Sequence, residues 1–176
     1  MAHNIQLLAI AGGILIGITF ILFIVSNALN MWSEGENDDK RVTYGLWHYC
    51  IFVPDNMTCY NLPCPSEIGK NSFCNQIFAA RAFLTLACML SCISTIIWII
   101  FCAVTTDTTP RLLHLANIGL TFTCLPMGII GVGVGINATI SVESDTKLRL
   151  GGAAIVGIVG IVINIFSAIV TVLVKR

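Results

Sequence analysis

The sequence predicts an all-α membrane protein of four spanning helices, with one large folded loop between the first two. Three observations predict it. Four long stretches are free of charge: residues 5–29, 82–104, 112–136 and 150–174, with His114 their only ionisable group apart from cysteine. Four of the eight cysteines sit in the polar segment that follows the first stretch. The same segment carries a β-branched and aromatic run, Val42 to Val53.

A helix rises ~1.5 Å per residue, so ~20 apolar residues cross a hydrocarbon core of ~30 Å. Each stretch is long enough. With 56% hydrophobic and 10% charged residues, the chain also lacks the charged surface of a soluble domain. One membrane domain over 1–176 is expected, with helices about 5–29, 77–104, 112–136 and 150–174 and outer loops 30–76 and 137–149. The first stretch has no positive n-region and no small-residue cleavage pattern, so it reads as a retained span. The net charge is zero, so no nucleic-acid surface is expected. HExxH, GxSxG and phosphate-binding glycine motifs are absent from the sequence, and neither an enzyme nor a cofactor is expected.

Four spans put both termini on one side of the membrane. Counting basic residues would place the long loop in the cytosol, since Lys40, Arg41 and Lys70 lie in it. That loop also carries six acidic residues, and long loops translocate largely regardless of charge. Cysteine argues the other way. Cys50, Cys59, Cys64 and Cys74 read as a disulfide framework, which needs an oxidising compartment. Asn56-Met57-Thr58 is a glycosylation sequon in the same loop. The expectation is an extracellular loop and cytosolic termini. The alternative, a cytosolic zinc site using His48 and the cysteines, fits no standard ligand spacing. Asn137 heads a second sequon, but beside the membrane end of helix three, and is expected to stay unmodified.

Val42 to Val53 reads as one strand, Pro54-Asp55 as a turn, and residues 56–60 as its antiparallel return. In that register facing residues have numbers summing to 109, and Cys50 meets Cys59 at a non-hydrogen-bonded position. Cα atoms there are ~4.5 Å apart, within disulfide range. Cys64 and Cys74 are then left to form a second bridge.

Trp32, Gly45-Leu46-Trp47, Cys50 and Cys59 together resemble the signature of the claudin superfamily, which includes claudins, peripheral myelin proteins and calcium-channel gamma subunits. Arg81, within Ala79-Ala80-Arg81-Ala82, resembles the family's arginine near the start of the second helix. The resemblance implies a left-handed four-helix bundle topped by a small extracellular antiparallel β-sheet, with Trp32 and Trp47 anchoring the sheet on the bundle. A strand at Thr139 to Val142 could join it. It also implies a plasma-membrane protein of cell–cell junctions, such as the tight junction. Such a protein would act in adhesion or paracellular barrier organisation, with like proteins as cis or trans partners. An auxiliary subunit of an ion channel or receptor is the alternative. The sequence departs from the family pattern in its extra Cys64 and Cys74, its neutral Tyr60 and Asn61, and its Lys175-Arg176 ending.

Within the spans, Gly13 and Gly17, Gly131 and Gly135, and Ala153 and Gly157 form small-xxx-small pairs, read as packing within one bundle. Pro126 is expected to kink helix three. Asn117 and Asn164 are read as interhelical hydrogen-bonding groups. Arg81 is placed about one turn into helix two, reaching toward an acidic residue or a carbonyl of the loop. Cys88 and Cys92 read as apolar packers, and Cys102 as a palmitoylation candidate.

Overall fold

The computed structural model describes residues 2–37, 40–53, 56–62, 72–103, 110–140 and 149–174. Four helices carry the four apolar stretches: α1 (Ala2–Ala28), α2 (Ser72–Ala103), α3 (Pro110–Ile140) and α4 (Gly152–Leu173). All four are long and apolar enough to cross a membrane. In hydrocarbon each backbone N–H and C=O must be satisfied inside the segment, and a helix does this.

Five short strands lie at one end of the bundle: β1 (Ser33–Asn37), β2 (Lys40–Tyr44), β3 (His48–Val53), β4 (Asn56–Asn61) and β5 (Arg149–Leu150). They form one antiparallel sheet in the order β4-β3-β2-β1-β5. The run from Val42 to Val53 is therefore two strands rather than one. Gly45-Leu46-Trp47 interrupts it and turns the chain, with the Gly45 N–H donating to the His48 carbonyl at 2.9 Å. Strand propensity alone does not register this turn. Gly45 has backbone on one side only 2.5 Å from where a Cβ would lie, at Asn30 Cα.

The β3–β4 register pairs Val53 with Asn56 and Cys50 with Cys59. The turn residues Pro54 and Asp55 lie outside the described set. The β1–β2 hairpin contains the acidic cluster, of which Asp38 and Asp39 also lie outside it. The second loop supplies Arg149 and Leu150 to the sheet, opposite Glu34 and Ser33. The strand expected at Thr139 to Val142 is not there: Thr139 and Ile140 belong to α3, whose apolar run simply continues, and residues 141 and 142 lie outside the described set.

The core has two parts. Beneath the sheet, Phe23, Trp32, Leu46, Ile77, Leu84 and Val132 are buried together. At the opposite end, Ile16, Trp98, Phe101 and Val174 form a second cluster, with Leu113 against it. Small residues make close helix approach possible. A Cβ on Gly131 would lie 2.9 Å from the Leu84 backbone nitrogen, and one on Gly157 2.8 Å from Ser26 Oγ. Gly135 lies against the Trp32 ring and Gly13 against Trp98. These small residues are thus used inside the bundle.

Candidate functional site: the joint between sheet and bundle

The sheet is held to the helices by three residues between α1 and β1. Asn30, Met31 and Trp32 leave α1 after the Leu29 N–H closes its last turn on the Val25 carbonyl. The Trp32 N–H then donates to the Tyr44 carbonyl at 2.8 Å, starting the β1–β2 ladder. Its carbonyl accepts from the Gly151 N–H at 2.9 Å, and the Met31 carbonyl accepts from the Ala153 N–H at 2.9 Å. The first N–H groups of a helix have no partner within it. Here the chain 120 residues earlier supplies acceptors for the start of α4, roughly the job of a capping side chain. Gly151 has no room for a side chain, because its Cβ would fall on the Met31 carbonyl.

Trp32 is 0% exposed, and its indole Nε1 donates to the Ser26 carbonyl at 2.8 Å. It is a core residue, not a member of an interfacial belt. A carbonyl near the end of α1 lacks a partner within the helix, and Trp32 supplies one while filling the space beside Gly135. Trp47 is different, at 41% exposed. Its Nε1 donates to Asn27 Oδ1 at 3.1 Å, and Asn27 Nδ2 reaches Thr85 Oγ1 at 3.4 Å. The Arg81 guanidinium carbon sits 4.7 Å from the Trp47 ring centre and 5.3 Å from that of Phe78. Arg81 Nε donates to the Leu46 carbonyl at 2.8 Å. Because α2 begins at Ser72, Arg81 lies about two and a half turns into it, deeper than the sequence suggests. Of the partners considered for it, the loop carbonyl is the one used. Leu46, between these groups, is fully buried.

Trp32, Gly45, Leu46, Trp47 and Arg81 are therefore brought together at one joint. Cys50 and Cys59 lie further out and bridge β3 to β4, with Cα atoms 4.1 Å apart. That bond uses thiolates the zinc alternative would need. Cys74 is also disulfide-bonded, while Cys64, the expected partner, lies outside the described residues. Asn56 opens β4 and is exposed. Asn137 lies within α3 and donates to Gln76 Oε1 at 3.2 Å.

Sequence reasoning missed Ser26, Asn27, Asn30 and Gly151. Three of them stand in Ser26-Asn27-Ala28-Leu29-Asn30, where polar residues end an apolar run, and this was the available signal. It also missed a ladder of tyrosines across three strands. Tyr44 and Tyr49 have ring centres 6.2 Å apart, and Tyr49 and Tyr60 5.4 Å, both pairs stacked. All six residues of the edge strand β4 are exposed. Glu34 and Arg41 form an ion pair across β1 and β2.

Deeper in the bundle, Asn117 joins α3 to α2. Its carboxamide lies between Ser94 Oγ and the Trp98 indole, with the nitrogen toward Ser94 and the oxygen toward Trp98. The bond expected of Asn164 is not formed. Asn164 is fully buried, no hydrogen bond of ordinary geometry reaches its carboxamide, and the polar group beside it is the Cys124 thiol. The neighbouring Cys124 thiol donates instead to the Ala87 carbonyl at 3.4 Å. Cys88 and Cys92 are free and half-buried, and the Cys102 side chain lies outside the described set.

The arrangement is that of a rigid joint presenting a sheet above a membrane bundle. No individual curated protein matches the sequence. The PMP-22/EMP/MP20/Claudin family matches residues 4–171, which takes in the whole joint, the sheet and nearly all of the four helices, and the chain belongs to that family.

Proposed function

We propose that this chain is a plasma-membrane protein of cell–cell junctions, acting in adhesion or in organising a paracellular barrier. Both termini are cytosolic in this reading, and the sheet is extracellular. The observation that carries it is the edge of the sheet at β4, with which no other strand pairs on its outer side among the described residues. Strand β4 is fully exposed, and the Tyr44–Tyr49–Tyr60 ladder leads to it. An exposed edge strand offers unpaired backbone groups to another chain, and aromatic rings add contact area at little entropic cost. The partner is a like protein on the same or the facing cell. Oxidation of Cys50 and Cys59 supports the extracellular placement.

The test is expression in non-adherent cells that lack junction strands. Enrichment of tagged chain at contacts between two expressing cells, but not between an expressing and a non-expressing cell, supports the reading. Uniform surface distribution in both cases overturns it. The second reading, an auxiliary subunit of a channel or receptor, is favoured by neutral Tyr60 and Asn61 after Cys59, where a charge-selective pore needs fixed charge. Stoichiometric co-purification of a channel from native membrane would select that reading instead.

A further inference from the structure

We propose that Arg81 binds the phosphate of a phospholipid in the leaflet on the sheet side of the membrane. The site adds a ligand to the joint, whichever partner the sheet meets. A guanidinium spreads its N–H donors over Nε, Nη1 and Nη2. Arg81 uses the Nε donor on the Leu46 carbonyl. Among the described residues, no acceptor and no carboxylate meets Nη1 or Nη2. The side chain is half-buried and lies against the Trp47 and Phe78 rings. Those rings stabilise the cation but accept nothing from its planar N–H edge. A half-buried cation with open donors and no counter-charge is a site for an anion.

Depth decides which anion. From Arg81 to Phe101, α2 runs ~20 residues, or ~30 Å, the thickness of a hydrocarbon core. No charged residue follows Arg81 within α2. The Trp47 indole against the guanidinium also bonds Asn27, in the last turn of α1. Helical side chains lean toward the N-terminus of their helix. Arg81 therefore reaches from the edge of the hydrocarbon toward the sheet, and its bond to Leu46 agrees. Phosphates are the anions that every phospholipid holds at that height.

Geometry and surroundings agree with that ligand. A guanidinium meets two oxygens of one phosphate with parallel N–H bonds. Below the site, Leu86 and Met89 of α2 and Ile24 of α1 are exposed, an apolar surface for the acyl chains of the same lipid. Free phosphate has no such second contact. Because the phosphate itself is recognised, a zwitterionic headgroup suffices.

The experiment uses the full chain in a maltoside detergent, which carries no phosphate. Phosphatidylcholine, or diglucosyl diacylglycerol with the same chains, is titrated in, and native mass spectrometry reads the bound lipid. One phosphatidylcholine should bind at about tenfold lower concentration than the glycolipid, the ratio that one charge-assisted hydrogen bond supplies. Arg81→Gln should remove the difference. Because that variant also loosens the joint, Phe78→Glu gives a second arm. It sets a carboxylate three residues from Arg81, a neighbouring position on the helix surface, where it competes for the guanidinium. It too should remove the difference, while Arg149→Gln, on β5, should leave it intact. Equal binding of the two lipids, or a preference that survives Arg81→Gln or a folded Phe78→Glu, would overturn the proposal. So would displacement of the lipid by millimolar inorganic phosphate, which would assign the site to the free ion. A preference that emerges only in Glu67→Gln would also overturn it, by giving Arg81 to the chain's own carboxylate.

Discussion

Arg81 Nε donates a 2.8 Å hydrogen bond to the carbonyl of Leu46, joining the only cation of α2 to the turn that carries the sheet. The bond fixes the guanidinium plane over Trp47, 4.7 Å from the ring centre. A hydrogen bond to a charged group contributes about 1.5–3 kcal/mol, and a cation over an aromatic face about 0.5–2 kcal/mol. Arg81→Lys keeps the charge but not the planar fork. We expect it to lower the melting temperature of the purified protein in detergent, and Arg81→Ala to lower it further, by about 2–4 kcal/mol of stability. A neutral Arg81→Lys would show that charge alone suffices at the joint.

Gly151 and Gly152 are neighbours with opposite surroundings. A Cβ at Gly151 meets the Met31 carbonyl, and one at Gly152 meets nothing within 4 Å. Gly151→Ala should abolish surface expression, because the clash is with backbone at the start of α4. Gly152→Ala should be tolerated or mildly stabilising, by up to ~1 kcal/mol. Surface biotinylation of the two variants separates them, and equal expression would contradict the packing described.

Asn117 and Asn164 should respond in opposite directions to leucine. Asn117→Leu leaves the Trp98 N–H without its acceptor and Ser94 Oγ without the amide that donates to it, and should destabilise by about 1–3 kcal/mol. Asn164→Leu removes a buried amide that has only the Cys124 thiol beside it and should be neutral or stabilising by about 1 kcal/mol, with some loss to overpacking. Thermal unfolding in detergent reads both. A large loss at Asn164 would mean that its carboxamide is satisfied by water.

The thiols and the sequons are tested by peptide mapping. Under non-reducing conditions Cys50–Cys59 and Cys64–Cys74 are expected as pairs, with Cys88, Cys92 and Cys124 alkylated by reagent after unfolding. A glycan is expected on Asn56 and none on Asn137, whose place inside α3 withholds the extended backbone an acceptor presents. A mobility shift that persists in Asn56→Gln would refute this assignment.

The pore is the subject of the last prediction. The long loop places Glu34 on a hairpin, paired with Arg41, and leaves Tyr60 and Asn61 neutral on the edge strand. Exposed charges farther apart than ~8 Å are screened at physiological salt. Expressed alone in an epithelial layer, this chain should not create a strongly cation-selective route. Dilution potentials measure this, and a cation preference abolished by neutralising Asp55 or Glu67 would restore a pore-forming reading.

The spans were legible because charge is excluded from hydrocarbon, so a run such as 150–174 declares itself in composition. The β3–β4 hairpin was legible too, since two cysteines and a turn signal fix one register. The split of Val42–Val53 was not. Val42, Thr43, Tyr44, Trp47 and Tyr49 around Gly45 favour a strand, and the close approach of Asn30 to Gly45 is written nowhere in that run. The same holds for Gly151, whose requirement comes from Met31. Asn117 and Asn164 look alike in a sequence, and only the facing helix decides which one finds partners.

The carbonyls of Met31 and Trp32 also impose an order on biogenesis. They leave the ribosome early, with the first helix, yet their partners at Gly151 and Ala153 are among the later residues made. Strand β5 arrives with them. Until α4 enters the membrane, the sheet lacks one edge and its anchor is half made. A chain stopped after α3 thus leaves the Met31 and Trp32 carbonyls and one side of β1 without these partners, so the last span completes the sheet as well as the bundle.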